Sequence, residues 1–597
     1  MRELLMGNEA IALGALMAGV QVVAGYPGTP STEVLETIAK RRPQNVYVEW
    51  SVNEKAAMEV AAGAAYSGAR ALVTMKQVGL NVATDPLMSL NYIGVKGGMV
   101  VFVADDPGPI SSQTEQDTRH FGQYAKIAVF DPTSPEEAYE MIQTAFAYSE
   151  AQQKPVLFRA TTRVCHSCAS IEVGQFPEPK QPVGFTKDSR WVIFPALSYR
   201  RKLELTEMEP TLADQFSKSA YNTIEGDGCI GIACGGISYA YVKDALSNLD
   251  TPFHVFKVAT PYPFPEARAL EFLDGLEQVI VFEELDPVIE DALLTLKGKE
   301  KLSFTLLGKR SGTVPTAGEL SAGIVCKILE TVFGTQNQMA FSDYSDAPAV
   351  PMRPPVLCAG CPHRAAFYAV KQAMKGKKAV FCGDIGCYTL GNAAPLDMVD
   401  TCLCMGAGIT IAQGIGHAEN GSVNFAFVGD STFFASGMTG VVNAVYNQAN
   451  MILVVLDNST TAMTGHQPHP GIGKTMMGGI SQKINIPAVL KAIGLTRVEE
   501  VDPLDLNESI RVVQEIADEK GVKAVIFRSP CIALQKKTSM CKVEEKDCTG
   551  CQRCIREIGC PAMAVREKKV VIEQGLCNGC GLCSQVCPKR CIHKEEA

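Results

Sequence analysis

The 597-residue chain is about four times the usual ~150-residue domain, so roughly three to five domains are expected. Its 46% hydrophobic and 20% charged residues exclude a largely disordered chain. A formal net charge of -9 argues against a broad nucleic-acid or anionic-membrane surface, and no apolar run reaches the ~18 residues of a transmembrane helix.

Residues 11–18 are apolar but follow Glu3, Asn8 and Glu9, with only Arg2 basic, and lead at once into Gly25-Tyr26-Pro27-Gly28. They read as a first helix of a cytoplasmic protein rather than a signal peptide. Apolar runs at 20–24, 71–75, 99–104 and 155–159 are strand candidates, alternating with Ala-rich helical stretches such as 54–65. That alternation implies a parallel sheet covered on both faces. Residues 172–190, rich in Pro, Gly and charge, read as a linker. A second α/β unit follows, with strands expected at 229–233 and 278–282 and no convincing catalytic constellation. The Pro-rich segment 335–355 marks a boundary. A third α/β unit has strong strand signals at 423–428 and 451–456, each ending in acidic or amide residues. Ligands of open parallel sheets bind at such carboxyl ends.

The tail is cysteine-dense: of 22 cysteines, nine lie from Cys548 to Cys591. A cytoplasmic chain does not use them as a disulfide scaffold. Cys577, Cys580, Cys583 and Cys587-Pro588 have the bacterial ferredoxin spacing for [4Fe–4S] clusters. Cys548, Cys551, Cys554 and Cys560-Pro561 repeat it with five residues, not three, before the last cysteine, which predicts a bulge near Cys560. In two-cluster ferredoxins the fourth cysteine of each run ligates the other cluster. One cluster is therefore assigned to Cys548, Cys551, Cys554 and Cys587, and the other to Cys577, Cys580, Cys583 and Cys560. Two structural zinc sites are the alternative, disfavoured by two tandem runs each closed by Cys-Pro. Cys591 reads as a spare buried thiol. From residue 541 to the end, ten Lys or Arg face eight Asp or Glu, a net of about +2. That suits docking of an acidic electron carrier, or is an ordinary solvated face.

Gly429-Asp430-Ser431, then Asp457-Asn458, each after an apolar strand, resembles the thiamine-diphosphate motif usually written GDG…NN. Two phosphates need a divalent cation, and Mg2+ wants oxygen ligands. Asp430 offers a carboxylate, Asn458 an amide oxygen and Thr460 its backbone carbonyl. Ser431 and Asp457 depart from the motif, and two unrelated strand-end turns are the alternative reading. Thiamine chemistry also needs a carboxylate on the aminopyrimidine. Glu54, opening the helical stretch, is the candidate; compensation of the helix dipole is the bland alternative. Cys358, Cys361, Cys387 and Cys531 read as ligands of a third [4Fe–4S] cluster, or else Cys358 and Cys361 are merely buried, and composition alone favours the second. Cys165-His166-Ser167-Cys168 lacks partners for a metal and reads as structural. His466-x2-His469 has no accompanying acid and reads as a loop or substrate contact. Gly406-Ala407-Gly408 lacks the rest of a dinucleotide fingerprint.

Met6-Gly7-Asn8-Glu9-Ala10, Gly25 to Ser31, Ser111 to Asp117, Cys358 to Arg364, Gly383 to Cys387, Gly429 to Thr432 and Thr461 to Gln467, with the double ferredoxin tail, carry a resemblance over essentially the whole chain. The sequence resembles the 2-oxoacid:ferredoxin oxidoreductases, most closely the large alpha subunits of members acting on indolepyruvate. The resemblance implies a thiamine-diphosphate-binding α/β fold. Its parts are a pyrimidine-binding domain (1–185), a transketolase-C-like domain (186–335), a pyrophosphate-binding domain (356–535) and a 2[4Fe–4S] ferredoxin-like domain (540–597). It places Glu54 on the aminopyrimidine, Asp430, Asn458 and Thr460 on Mg2+, His363 near the diphosphate, and Thr29 and Thr464 near substrate. Relatives with a cluster in the pyrophosphate domain hold it by a CxxC and two later cysteines, matched by Cys358, Cys361, Cys387 and Cys531, although the family's Cys-Gly-His reads Cys-Pro-His here.

The implied reaction is CoA-dependent oxidative decarboxylation of an arylpyruvate such as indolepyruvate, with electrons passed to ferredoxin. The implied assembly is a hetero-oligomer with a smaller beta subunit carrying a gamma domain. Pyruvate or a branched-chain acid is the nearest rival substrate. A thiamine lyase needs no electron exit, and a pure electron-transfer subunit would carry degenerate thiamine domains.

Overall fold

Strands with both faces covered are written as continuous apolar runs, and this rule organises every large sheet of the chain. The computed structural model describes residues 2–41, 45–178, 180–247, 249, 252–335, 346–419 and 421–596. The boundary segment expected at 335–355 lies partly outside these described residues. The chain divides into two units, Met1–Ala347 and Pro348–Ala597.

The first unit holds a six-stranded, all-parallel sheet in the order Tyr47–Trp50, Val22–Gly25, Ala71–Lys76, Met99–Asp105, Val156–Thr161, Val129–Phe130. Met99–Asp105 and Val156–Thr161 are buried along their whole length, as a doubly covered sheet requires. Helix Gly7–Met17 packs against Pro135–Gln152 so closely that a Cβ at Gly14 would lie 2.5 Å from the Tyr139 carbonyl oxygen. The expected strand at 20–24 begins later, at Val22, because Gly19 (φ 72) first turns the chain out of the helix. Residues 173–178 and 180–188 carry no regular element.

A second sheet of the same unit has five strands, in the order Thr305–Leu307, Gln278–Phe282, Ile230–Gly235, Phe253–Val258, Ile224–Glu225, with only the last antiparallel. Helices Ile237–Leu246 and Ala322–Phe333 bury apolar side chains on one face. Glu266–Leu273 and Val288–Glu300 do so on the other.

The second unit is built on five parallel strands, in the order Ala379–Cys382, Val423–Gly429, Met451–Asp457, Val522–Arg528, Val498–Val501. Helices Pro362–Ala373 and Leu506–Ala517 cover one face. Ala407–Ala418, Met438–Tyr446 and Ile486–Ile493 cover the other. The tail adds two antiparallel pairs, Ser539–Val543 with Ile592–Glu596 and Met563–Arg566 with Lys569–Ile572, and short helices Arg553–Ile558 and Leu582–Val586. It shares one apolar core with a face of the five-stranded sheet: Phe367, Phe427, Ile558, Cys554 and Leu582 belong to the same buried cluster. Among the described residues no helix is long and apolar enough to cross a membrane.

Candidate active site

The carboxyl ends of three neighbouring strands in the second unit present Asp384, Asp430 and the turn Asp457 to Thr460. Asp430 is 3% exposed. Its carboxylate accepts from Ser431 N (2.9 Å), from Ser459 N (2.8 Å) and lies 3.1 Å from His469 Nε2. The turn after Met451–Asp457 is thereby closed onto Asp430. Asn458 and Thr460 are buried in it, with Asn458 Oδ1 accepting from Thr460 N (3.2 Å). Burial raises the Asp430 carboxyl above its ordinary value, and His469 opposes that. The two departures from the thiamine motif both have structural partners. Asp457 accepts from Arg528 Nε at 2.9 Å across the sheet, so its charge is neutralised locally. Ser431 Oγ accepts from Thr461 Oγ1 at 3.0 Å and ties the two loops together. Thr464 lies further along, where its hydroxyl donates to Gln467 Oε1 at 2.6 Å.

His363 occupies the first turn of helix Pro362–Ala373. It is buried, and neither ring nitrogen has a hydrogen-bond partner. Burial pushes its pKa down to about 4, so the ring is neutral. A buried imidazole without partners, at a helix N-terminus of positive potential, fits a phosphate oxygen brought by a ligand. The ring stands edge-to-face on Tyr388, with centroids 5.5 Å apart. Tyr388 donates to Asp384 Oδ2 (2.7 Å) and lies 3.3 Å from Thr432 Oγ1. Asp384 also accepts from Gly406 N at 2.7 Å, and burial raises its pKa to about 6. A Cβ at Gly429 would lie 2.6 Å from the Tyr388 ring, so glycine is needed there for close approach.

In the first unit, Glu54 opens helix Glu54–Tyr66, capped by Asn53 Oδ1 accepting from Ala56 N at 2.8 Å. Glu54 is buried, and burial pushes its pKa up to about 7, with Lys76 nearby pulling the other way. A carboxyl poised near neutrality suits proton exchange with a heterocyclic nitrogen. Gly79 gives it room: a Cβ there would lie 2.6 Å from Glu54 Oε1. Thr29 follows strand Val22–Gly25, and its carbonyl accepts from Ser111 Oγ at 3.2 Å.

Two cavities in the tail collect the predicted cluster ligands. One, of about 430 Å3, is lined by Cys560, Cys577, Cys580 and Cys583. The other, of about 310 Å3, is lined by Cys548, Cys551, Cys554 and Cys587. The longer spacing before Cys560 is absorbed by helix Arg553–Ile558, which Gly559 ends at φ 55. Beyond these four, Cys541 and Cys361 also line the first cavity and Cys591 the second. Cys577 Sγ accepts from Cys541 N (3.3 Å) and Gly579 N (3.4 Å), the amide-to-sulfur bonds that cluster thiolates use. Four converging thiols around an apolar cavity fit a four-iron cluster. Cys358, Cys361, Cys387 and Cys531 form a further group. Burial, and secondarily the neighbouring Cys358, pushes the thiols of Cys361 and Cys531 up, and burial with Cys531 and Cys358 does so for Cys387.

No motif singles out Asp384 or Tyr388 as a site residue, and His469, expected as a loop or substrate contact, stands on Asp430. The acid that His469 lacks in local sequence is Asp430, 39 residues earlier. Asp384 stands after a strand, the same signal that pointed to Asp430, but that strand is only four residues long.

Three family descriptions match the chain. "Pyruvate flavodoxin/ferredoxin oxidoreductase, thiamine diP-bdg" covers residues 13–187, "Thiamine pyrophosphate enzyme, C-terminal TPP binding domain" 384–527, and "4Fe-4S binding domain" 570–593. Indolepyruvate oxidoreductase subunit IorA of Archaeoglobus fulgidus is 40% identical over 609 residues, covering 98% of this chain and 97% of that one. The subunit of the same name from Methanothermobacter thermautotrophicus is 41% identical over 606 residues, covering 99% and 97%. A solved 2-oxoglutarate:ferredoxin oxidoreductase from Magnetococcus marinus aligns with a TM-score of 0.44 and 16% identity over 55% of this chain and 65% of that chain. The chain therefore belongs to the indolepyruvate oxidoreductase subunit IorA family, and is part of a thiamine-diphosphate-dependent 2-oxoacid:ferredoxin oxidoreductase that moves electrons through iron–sulfur clusters.

Proposed function

We propose that the chain catalyses CoA-dependent oxidative decarboxylation of an arylpyruvate, indolepyruvate above all, to an aryl-acetyl-CoA and CO2, with two electrons leaving one at a time to ferredoxin. The observation that carries this reading is the pair of cysteine-lined cavities in the same unit as the strand ends bearing Asp430 and Asn458. Single-electron exits beside thiamine residues suit an oxidative reaction and serve no purpose in a lyase. The names of the relatives support indolepyruvate as substrate.

Bound thiamine diphosphate supplies the electron sink for decarboxylation. Glu54, whose buried carboxyl holds a proton near neutral pH, would be the group set against the aminopyrimidine to move that proton. Asp430, Asn458 Oδ1 and the Thr460 carbonyl offer hard oxygen donors to Mg2+. His363 hydrogen-bonds the diphosphate, and Thr29 and Thr464 contact the substrate. Cys548, Cys551, Cys554 and Cys587 hold one [4Fe–4S] cluster, and Cys560, Cys577, Cys580 and Cys583 the second. Cys358, Cys361, Cys387 and Cys531 hold a third. The division at 1–185, 186–335, 356–535 and 540–597, a cytoplasmic location, and a hetero-oligomer with a smaller subunit carrying the gamma domain complete the reading.

The test is anaerobic reduction of a low-potential dye by this chain with its native partner, using indolepyruvate, pyruvate and a branched 2-oxo acid, each with and without CoA. Fastest CoA-dependent reduction with indolepyruvate is expected. Preference for another acid overturns the substrate, and no reduction by any acid with intact clusters overturns the reaction.

A further inference from the structure

Arg364 lies in helix Pro362–Ala373 and is 4% exposed. Its Nη1 donates to the carbonyls of Ile558 (2.6 Å) and Gly559 (2.9 Å), and its Nη2 to that of Leu357. Its Nε is buried with no partner. The side chain lines the cavity of about 430 Å3 that holds Cys560, Cys577, Cys580 and Cys583. Among the described residues no carboxylate lies within ion-pair distance of it, and the groups that act on its charge are Cys560, Cys361, Cys580 and Cys358. A guanidinium stays charged at any physiological pH, and a buried charge without a counter-charge costs several kcal/mol. Three carbonyl dipoles offset only part of that. The missing anion has an evident source. A four-iron cluster on four thiolates is negatively charged and gains one more negative charge on reduction.

We propose that Arg364 is the resident counter-cation of the cluster held by Cys560, Cys577, Cys580 and Cys583, favours its reduced state, and points its Nε–H at a cluster sulfur. Net charge and hydrogen bonds to sulfur are the protein's main levers on cluster potential. Arg364 is a positioning residue, acting on the cluster and not on substrate. The inference rests on the ligand assignment proposed above and adds to it a reason why that cluster accepts electrons.

The experiment uses the anaerobic holoenzyme with its partner subunit, comparing Arg364→Gln, Arg364→Lys and the exposed control Arg566→Gln by EPR-monitored redox titration with iron and sulfide analysis. In Arg364→Gln one cluster is expected to show at least a tenfold lower reduced-to-oxidised ratio at fixed potential, which is about 59 mV for a one-electron couple. Arg364→Lys, which keeps the charge but loses the Nε–H, should fall between the parent and Arg364→Gln, and Arg566→Gln should stay within threefold of the parent. Unchanged potentials in a fully loaded Arg364→Gln enzyme overturn the proposal. If Arg364→Gln fails to load a cluster while Arg364→Lys loads normally, the charge requirement is upheld. If both fail alike, the role lies in the carbonyl hydrogen bonds and the proposal falls. Cys560→Ala in a Cys541→Ala background, compared with Cys541→Ala alone, separates the premises: full iron content in the double variant overturns the ligand assignment, whereas loss of one cluster there with unmoved potentials in Arg364→Gln overturns only the role of Arg364.

Discussion

Glu54→Gln should abolish turnover and yet stabilise the cofactor-free chain, and the second effect depends on pH in a defined way. Burial lifts the Glu54 carboxyl from its ordinary 4.5 to about 7. Below pH 4.5 it is protonated in folded and unfolded chains alike and has no charge to bury. Between 4.5 and 7 the unfolded chain ionises first, which draws the equilibrium toward unfolding. Above 7 the full penalty is present, about 3 kcal/mol for a rise of this size. A neutral amide escapes that penalty but leaves its own N–H groups short of partners, at a cost of about 1 kcal/mol. The net expectation at pH 8 is a gain of about 2 kcal/mol, or roughly 3 °C in the unfolding transition of the first unit, Met1–Ala347. Scanning calorimetry of thiamine-free parent and variant at pH 5 and pH 8 measures it. Equal melting temperatures at pH 8, or the same gain at both pH values, would refute the argument that burial of charge sets the Glu54 titration.

Other expectations follow from single contacts. Gly79→Ala puts a methyl 2.6 Å from Glu54 Oε1 and should cut turnover at least about a hundredfold by displacing the carboxyl, with iron content unchanged. Full activity in the dye assay would count against Glu54 as the proton-exchanging group. His469→Ala frees the Asp430 carboxylate from its ring partner and should lower the apparent affinity for Mg2+ about tenfold, read by metal titration of activity after chelation. Cys541→Ser and Cys591→Ser should keep the parental iron and sulfide content, because each cavity keeps its four assigned ligands. Loss of a cluster from either variant would replace one member of the assigned ligand set.

The parts legible in sequence share one property: the signal is local. The strand expected at 451–456 is Met451–Asp457 in the structure, and that expected at 278–282 is Gln278–Phe282, because both are covered on two faces. Tyr47–Trp50 lies at a sheet edge, with Tyr47 and Glu49 facing outward, so its apolar signal is too weak to read. Asp430 announces itself by following a seven-residue apolar strand. What could not be read is tertiary. His469 meets Asp430, Asp457 meets Arg528, and Tyr388 rests against the backbone of Gly429, all through pairings fixed by the order of strands in the sheet. Nor does any spacing tell that His363 lacks partners for both ring nitrogens, since that is a property of the whole packed surround.

Helix Pro362–Ala373 carries His363 in its first turn, while Arg364 and Tyr368 on the same helix hold the tail through Ile558, Gly559 and Glu557. The ferredoxin-like segment is therefore no detachable cassette. Cutting the chain at residue 535 would strip the cover from Phe367 and its neighbours, and a tail that loses its iron to oxygen would withdraw support from the same helix. Oxidative damage to the tail would then reach the helix proposed to hold the diphosphate mechanically, so that a broken wire would also disarm the chemistry that feeds it.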